Sequence, residues 1–349
     1  MGHGAGPSLM RQEIQQQPAA LSATIESLLP RRDEVARLAA QTRQVLFIAR
    51  GTSDNAAVYG SYLIQAHAGL LTALALPSIA TTYKSRVDLS GVLAVALSQS
   101  GRTEEIVDSL AWAQDCGART LAVTNGGADS PLAQAAEVAF VTEAGPERAV
   151  PATKTFTTQL AAIAVLALAL GAPLDAGELR AAPAAIEELL SRELDLAPIV
   201  GELAKVPGAV VSGRGMAYAA ALELALKLKE ACYLHAMGLS YADLLHGPIA
   251  VVDAETPAIV MAAASGPTLA GTVDLARRVT TAGAKAYGIG GGATLAQACS
   301  LSLPAPALPE WLAPIGLIVP GQLLTEALAR NLGLDPDNPR GLSKVTQTG

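Results

Sequence analysis

The sequence predicts an α/β chain made of two tandem doubly wound domains with parallel sheets. Three observations predict it. Short apolar runs end in small polar turns and open into helical stretches, the strand–turn–helix order of a doubly wound sheet. That order occurs twice, at nearly constant offsets. The chain has 349 residues, 51% of them apolar, which is ample core for two domains.

The elements follow in order. Met10 to Leu29 is Gln-rich, then amphipathic, with Pro18 as punctuation. Together with a helical stretch from Glu34 to Gln41 it reads as arm or interface helices. Val45-Leu46-Phe47-Ile48-Ala49 is an apolar run fit for a buried parallel strand. It ends in Arg50-Gly51-Thr52-Ser53-Asp54-Asn55 and a helix over Ala56 to Ala68. Val92 to Leu97 is the next strand, ending in Ser98-Gln99-Ser100-Gly101-Arg102-Thr103 before a helix over Glu104 to Cys116. Strands over Thr120 to Thr124 and Val138 to Val141 complete the unit. A long apolar helix from Thr153 to Leu170 and a polar connecting helix from Glu178 to Leu194 follow.

The pattern then restarts. Gly208 to Ser212, Ala258 to Ala262 and Ala286 to Ile289 read as strands, with helices over Ala221 to Glu230 and Leu269 to Ala282. Gly51 matches Gly215 at an offset of 164, and Ser100-Gly101 with Thr103 match Ser265-Gly266 with Thr268 at 165. Gly117-Ala118 matches Gly283-Ala284 at 166, and Leu132 to Ala135 matches Leu295 to Ala298 at 163. Five prolines from Pro304 to Pro320 predict an extended crossing segment, with a helix only over Gly321 to Leu332. The expected boundaries are N-terminal lead and helices 1–35, first domain 36–175, linker helix 176–198, second domain 199–339 and tail 340–349.

Composition narrows the function. A net charge of -7 argues against a general nucleic-acid surface. Cys116, Cys232 and Cys299 have no metal-like spacing and suit reduced thiols in a cytoplasm, with Cys232 read as a buried structural thiol. The residues from Met1 to Leu9 have no apolar core of a signal peptide, and the apolar run Leu160 to Leu170 is too short to span a bilayer. A soluble cytoplasmic protein with no membrane partner is expected.

Two stretches carry chemistry. Glu223, Lys227 and Glu230 sit at i, i+4 and i+7 on one helix face, followed by His235, a short loop, and Asp243 to Ile249 with His246. Such a stripe is either a solvated, salt-bridged surface or a proton-transfer site. The second stretch emerges from the repeat. The first copy has Thr52-Ser53 and Ser98-Gln99-Ser100-Gly101-Arg102-Thr103 where the second has Met216-Ala217 and Ala263-Ala264-Ser265-Gly266-Pro267-Thr268. Hydroxyls and N–H groups at helix N-termini form anion sites, so a phosphate is expected on the first copy and not on the second. The alternative is that these hydroxyls only cap helices.

The sequence resembles the sugar isomerase (SIS) family. The resemblance rests on Glu13-Ile14 with Gln17-Pro18, Gly51-Thr52-Ser53, Leu97-Ser98-Gln99-Ser100-Gly101 and Thr153-Lys154-Thr155-Phe156. It continues through Ala225 to Glu230, His246-Gly247-Pro248 and Lys344-Val345-Thr346. It is similar to the isomerase half of glucosamine-6-phosphate synthase and most of all to stand-alone SIS-type glucosamine-6-phosphate deaminases. The resemblance implies two flavodoxin-like SIS domains with a C-terminal tail over the active site. The synthase's glutaminase part has no counterpart in this sequence, which implies that ammonia is not drawn from glutamine by that route.

The resemblance also implies roles. Thr52, Ser53, Ser98, Gln99, Ser100 and Thr103 bind the sugar phosphate. Glu230 moves a proton between C1 and C2, and Lys227 steadies the enolate charge. His246 opens the sugar ring and comes from the neighbouring subunit in the family, so a homodimer is implied. Lys344 contacts or attacks the open-chain carbonyl. Glu223 contacts sugar hydroxyls or holds Lys227, and the Val150 backbone touches the sugar. No cofactor and no metal is implied.

Some positions depart from the family. Met237 follows His235-Ala236 where the family commonly has Glu, and Ala152 stands where the synthase has Ser. Arg50 and Arg102 resemble the deaminases. His235 is read as a core or supporting histidine. The expected reaction is glucosamine 6-phosphate to fructose 6-phosphate plus ammonia. Alternatives are a plain aldose–ketose isomerase, a glutaminase-less synthase-like aminotransferase, a fructosamine-phosphate deglycase, or a non-catalytic sugar-phosphate sensor.

Overall fold

The computed structural model describes residues 6–344. In chain order the helices and strands are α1 (Leu9–Gln15), α2 (Gln17–Leu28), α3 (Arg32–Leu38), β1 (Gln44–Ile48), α4 (Thr52–Leu63), β2 (Leu71–Leu74), α5 (Pro77–Thr81), β3 (Val92–Ser98), α6 (Glu104–Asp115), β4 (Arg119–Thr124), α7 (Pro131–Ala135), β5 (Val138–Val141), α8 (Lys154–Ala169) and α9 (Ala176–Leu190). They continue as α10 (Ala197–Leu203), β6 (Gly208–Gly213), α11 (Ala217–Cys232), β7 (His235–Ser240), α12 (Tyr241–Leu245), β8 (Ala258–Ala262), α13 (Leu269–Thr281), β9 (Ala286–Gly290), α14 (Gly292–Ala296), β10 (Leu301–Leu303) and α15 (Ala313–Asn331).

The chain divides into two compact units. One comprises Ala19–Glu147 and Lys154–Arg180; the other comprises residues 6–18, Arg148–Thr153 and Ala181–Lys344. Each is built on a five-stranded parallel sheet, with strand orders β2-β1-β3-β4-β5 and β10-β9-β8-β6-β7. The two orders are one topology, so the duplication read in the sequence is a duplication of fold.

In the first unit the central strand β3, Val-Leu-Ala-Val-Ala-Leu-Ser, is buried at all seven positions. A continuous apolar run is what a parallel strand covered on both faces requires. Helix α4 packs on α8. A Cβ at Gly60 of α4 would stand 2.5 Å from the Phe47 ring, so glycine here sets the spacing of helix and sheet.

In the second unit α11 packs on β6, β7 and α15. A Cβ at Gly321 of α15 would already sit 3.2 Å from the Leu224 side chain. Helix α15 with the turn before it, Glu310–Asn331, is long and apolar enough to cross a membrane, but 94% of its most apolar window is buried inside the protein. It is a core helix. Residues 6–18 are tied to it: Gln17 Nε2 donates to Gln322 Oε1 at 2.9 Å, and Ser8 Oγ donates to Glu326 Oε1 at 2.7 Å.

The structure corrects three expectations. The proline-rich segment is helical from Ala313, not from Gly321. Pro314 lies in the first turn, where its missing N–H costs nothing, and Pro320 is carried in the interior by tertiary packing that outweighs its local cost. The stretch after Tyr233 is strand β7, not a loop. Tyr233 itself takes the left-handed conformation (φ 55°) that ends α11. His235 opens this edge strand and is exposed, so it is not a core histidine.

Gly60→Ala tests the helix–sheet spacing. Better helix propensity offers at most about 1 kcal/mol, against overpacking of about 1–3 kcal/mol on Phe47. Urea denaturation should show net destabilisation, and adding Phe47→Leu should make the double variant lose less than the sum of the single changes.

Candidate active site

The first constellation lies at the carboxyl ends of β1 and β3, the neighbouring strands from which the first sheet winds in opposite directions. Such a switch point is where doubly wound sheets bind ligands. Gly51, at φ 58°, turns the chain from β1 into α4, so Thr52 and Ser53 fall in its first turn. Ser53 is buried and its Oγ accepts from Gln159 Nε2 at 3.0 Å, a bond from α8 that fixes the hydroxyl. Arg50 reaches across to Glu105 of α6 through two bonds at 2.9 and 3.0 Å. Burial raises the Asp54 carboxyl above its ordinary range, with Arg50 acting in the opposite direction.

The second turn is held from beneath. Ser98 Oγ accepts from Gly101 N at 3.2 Å and lies 3.4 Å from Thr103 Oγ1; Ser100 Oγ accepts from Arg102 N at 3.2 Å. Gln99 O accepts from Asn125 N at 3.1 Å. A Cβ on Gly126 would meet the Ser100 carbonyl oxygen at 2.1 Å, so glycine is obligatory under this turn. Thr103 is the N-cap residue of α6, yet its side chain makes no cap bond to that helix. The Ser98 and Ser100 hydroxyls thus brace their own turn, and the Thr103 side chain does not cap α6.

The second constellation is on α11. Lys227 Nζ stands 3.4 Å from Glu223 Oε1 and 2.5 Å from Glu230 Oε2. Glu223 and Lys227 are buried, at 0% and 1% side-chain exposure, while Glu230 keeps 23%. The solvated-stripe alternative fails on those figures. Burial lowers the Lys227 pKa, but the charges of Glu223 and Glu230 and their hydrogen bonds outweigh it, so the net shift is upward. Lys227 is thus an ammonium at neutral pH, with the Glu230 side chain held against it on one side and reachable on the other.

A third cluster was not foreseen. Lys344 Nζ donates to Ala149 O at 2.7 Å, and Val150 N donates to Asp337 O at 2.8 Å. The buried Glu13 carboxylate accepts from Arg148 N at 2.5 Å and from Ala149 N at 3.3 and 3.4 Å. Asp337 accepts from Leu9 N and Met10 N at 2.8 and 2.7 Å, capping α1. The tail is further pinned where Arg340 N donates to Tyr233 Oη at 2.8 Å. Val150 and Lys344 are brought together here. Glu13 stands in one of the sequence motifs, but its partner lies 135 residues away. Val345 and Thr346 of the tail motif fall outside the described residues.

His246 ends α12 and is exposed. Cys232 is buried, donates to Thr325 O at 3.3 Å and has its thiol pushed up to about 12 by burial, as befits a structural thiol. Among the described residues no cluster of three His, Cys, Asp or Glu side chains could hold a metal ion.

The SIS domain profile matches residues 38–169 and 202–329, one match on each sheet. The chain belongs to the SIS family. Glutamine–fructose-6-phosphate aminotransferase [isomerizing] of Methanothermobacter thermautotrophicus is 33% identical over 347 residues, which is 98% of this chain and 58% of that protein. The chain thus spans a little over half the length of such curated relatives. Among solved structures, a candidate phosphosugar isomerase from Silicibacter pomeroyi DSS-3 is 34% identical, with a TM-score of 0.81 over 95% of this chain and 100% of that one. The C-terminal domain of glucosamine-fructose-6-phosphate aminotransferase from Francisella tularensis is 28% identical, with a TM-score of 0.85 over 96% and 99%.

Two measurements test these clusters. Lys227→Met, which strands the buried Glu223 and the partly buried Glu230, should cost about 3–5 kcal/mol in urea unfolding. The folded pKa of Lys227 lies above its ordinary 10.5. Its contribution is therefore fully present below that value and lost as pH rises through the higher folded one. The stability gap between wild type and variant should be level from about pH 6 to 9 and narrow only in stronger alkali. Glu13→Gln should weaken the grip on Arg148 and Ala149, and hydrogen exchange of those two amides should speed up about tenfold, given the ~1.5–3 kcal/mol typical of a bond to a charged group.

Proposed function

We propose that this SIS protein is an amino-sugar-phosphate isomerase and deaminase that converts glucosamine 6-phosphate and water to fructose 6-phosphate and ammonia. The observation that carries the reading is the buried Glu223–Lys227–Glu230 stripe, in which a reachable carboxylate lies against a permanent ammonium. A proton shuttle between adjacent carbons needs a base that takes and returns one proton, and a fixed positive charge to steady the enol or enolate.

In this reading Thr52, Ser53, Ser98, Gln99, Ser100 and Thr103 take the phosphate. His246 opens the ring by moving the anomeric hydroxyl proton to the ring oxygen, and its exposure is compatible with donation to a neighbouring subunit of a homodimer. Glu230 removes the C2 proton of the open aldose and returns it to C1, while the C1 oxygen gains a proton and the amine nitrogen gives one up, which leaves a C2 imine. Water adds to that imine and the C2–N bond breaks, giving the ketose and ammonia. Lys344 meets the C1 oxygen, Val150 lines the sugar through its backbone, and Glu223 holds Lys227. The side chains at Arg50 and Arg102 favour deamination. The cytoplasm is the proposed setting.

A plain aldose–ketose isomerase is the second reading. It is favoured by the exposed Met237 at a position where the family commonly supplies a carboxylate.

Ammonia release should be measured on a panel of hexosamine 6-phosphates. Glu230→Gln should lower turnover by about 10²–10⁴-fold with substrate binding retained. Conversion of hexose 6-phosphates to ketoses, with no ammonia from any hexosamine 6-phosphate, would select the plain isomerase. Binding without any turnover would select the sensor, and undiminished turnover in Glu230→Gln would remove Glu230 from the mechanism.

A further inference from the structure

The second copy holds a carboxylate at the place where the first copy gathers its hydroxyls. Strands β6 and β8 are neighbours, as β1 and β3 are, and the turns that follow them carry Gly215, Gly266 and Thr268, the counterparts of Gly51, Gly101 and Thr103. Thr268 is the N-cap residue of α13 and, like Thr103, makes no side-chain cap bond to its own helix. Its hydroxyl instead donates to Glu310 Oε1 at 2.9 Å. A Cβ on Gly266 would stand 2.6 Å from Glu310 Oε2, and one on Gly215 4.0 Å from Oε1. The Glu310 carboxylate therefore rests on both turns at the switch point of the second sheet.

Two further features fit an anion position. Glu310 rides on a short helical turn, Glu310–Leu312, fixed by the buried Trp311, so the carboxylate is delivered by a rigid support. Beside it, Ala263 and Ala264 of the same turn line a cavity of about 280 Å³ with Gly290, Gly291 and Pro306. The turn has lost the side chains that would hold an outside ligand, and a built-in negative group faces it instead.

We infer that the second SIS domain retains the anion site of the duplicated fold and that Glu310 occupies it as an internal substitute for phosphate, which limits each chain to one bound sugar phosphate. Helix N-termini present a positive dipole end to an anion, and the Thr268 hydroxyl donates to the Glu310 carboxylate as it would to a phosphate oxygen. The first copy, where hydroxyls remain, is left to take the substrate. This last clause rests on the function proposed above; the occupancy of the second site does not.

The test counts inorganic phosphate bound per chain by calorimetric titration. Glu310→Ala should bind one phosphate more than wild type, and Glu310→Ala with Thr268→Val should return to the wild-type number. Equal counts in wild type and Glu310→Ala would overturn the inference. A wild-type count of zero with one in Glu310→Ala would sink the phosphate role of the first copy and uphold this one. If the alanine variant does not fold, Glu310→Gln keeps the shape without the charge. Phosphate should then raise its melting temperature by more than it raises that of wild type, and equal shifts would overturn the inference.

Discussion

One buried ammonium sets the terms for the second unit. Lys227 has no solvent to charge against, so Glu223 and Glu230 must stay within reach of it, and all three are strung along α11. The helix can hold them there only if its other faces are tightly packed. It meets this with alanine and leucine against β6, β7 and α15, closely enough that Gly321 stands opposite Leu224. With 3% aromatic residues the core has few large plates to fill space, so close helix approach replaces bulk. The same packing carries Pro320 through the middle of α15, where an isolated helix would break.

The fold was legible because parallel strands buried on both faces write themselves as short apolar runs, and because the chain writes them twice. The duplicated glycines and threonines placed both sheets before any coordinate did. Legibility failed at the margins. Strand β2 is largely exposed and β10 has three residues, so neither leaves much of a pattern. Strand β7 is an edge that begins with His235 and contains Gly238, and it read as a loop. The proline rule misplaced the start of α15, since packing decided what propensity could not.

The site was legible in parts for a different reason. Spacing on one helix announced the Glu223–Lys227–Glu230 stripe, but only coordinates separate a stripe in water from one sealed inside. The Ser98–Thr103 turn announced its hydroxyls, yet its floor, Gly126, and the amide that fixes Ser53, Gln159, lie on other elements. Glu13, Asp337 and Glu310 act on partners 42 to 328 residues distant, and no local pattern encodes such a pairing.

The cap on α1 has a consequence for how the protein is made. Leu9 and Met10 give their N–H groups to a carboxylate that is synthesised 328 residues after the first of them. Until Asp337 emerges, that helix has only Ser8 at its head, whose hydroxyl accepts from Arg11 N. Glu13 lacks the loop at Arg148 for much of translation as well. Helix α1 is thus among the last parts to be fully capped, and a nascent chain stalled before Asp337 would carry both finished sheets, with Glu13, Gln17 and Ser8 already able to reach their partners and only the two N–H groups of Leu9 and Met10 still waiting for theirs.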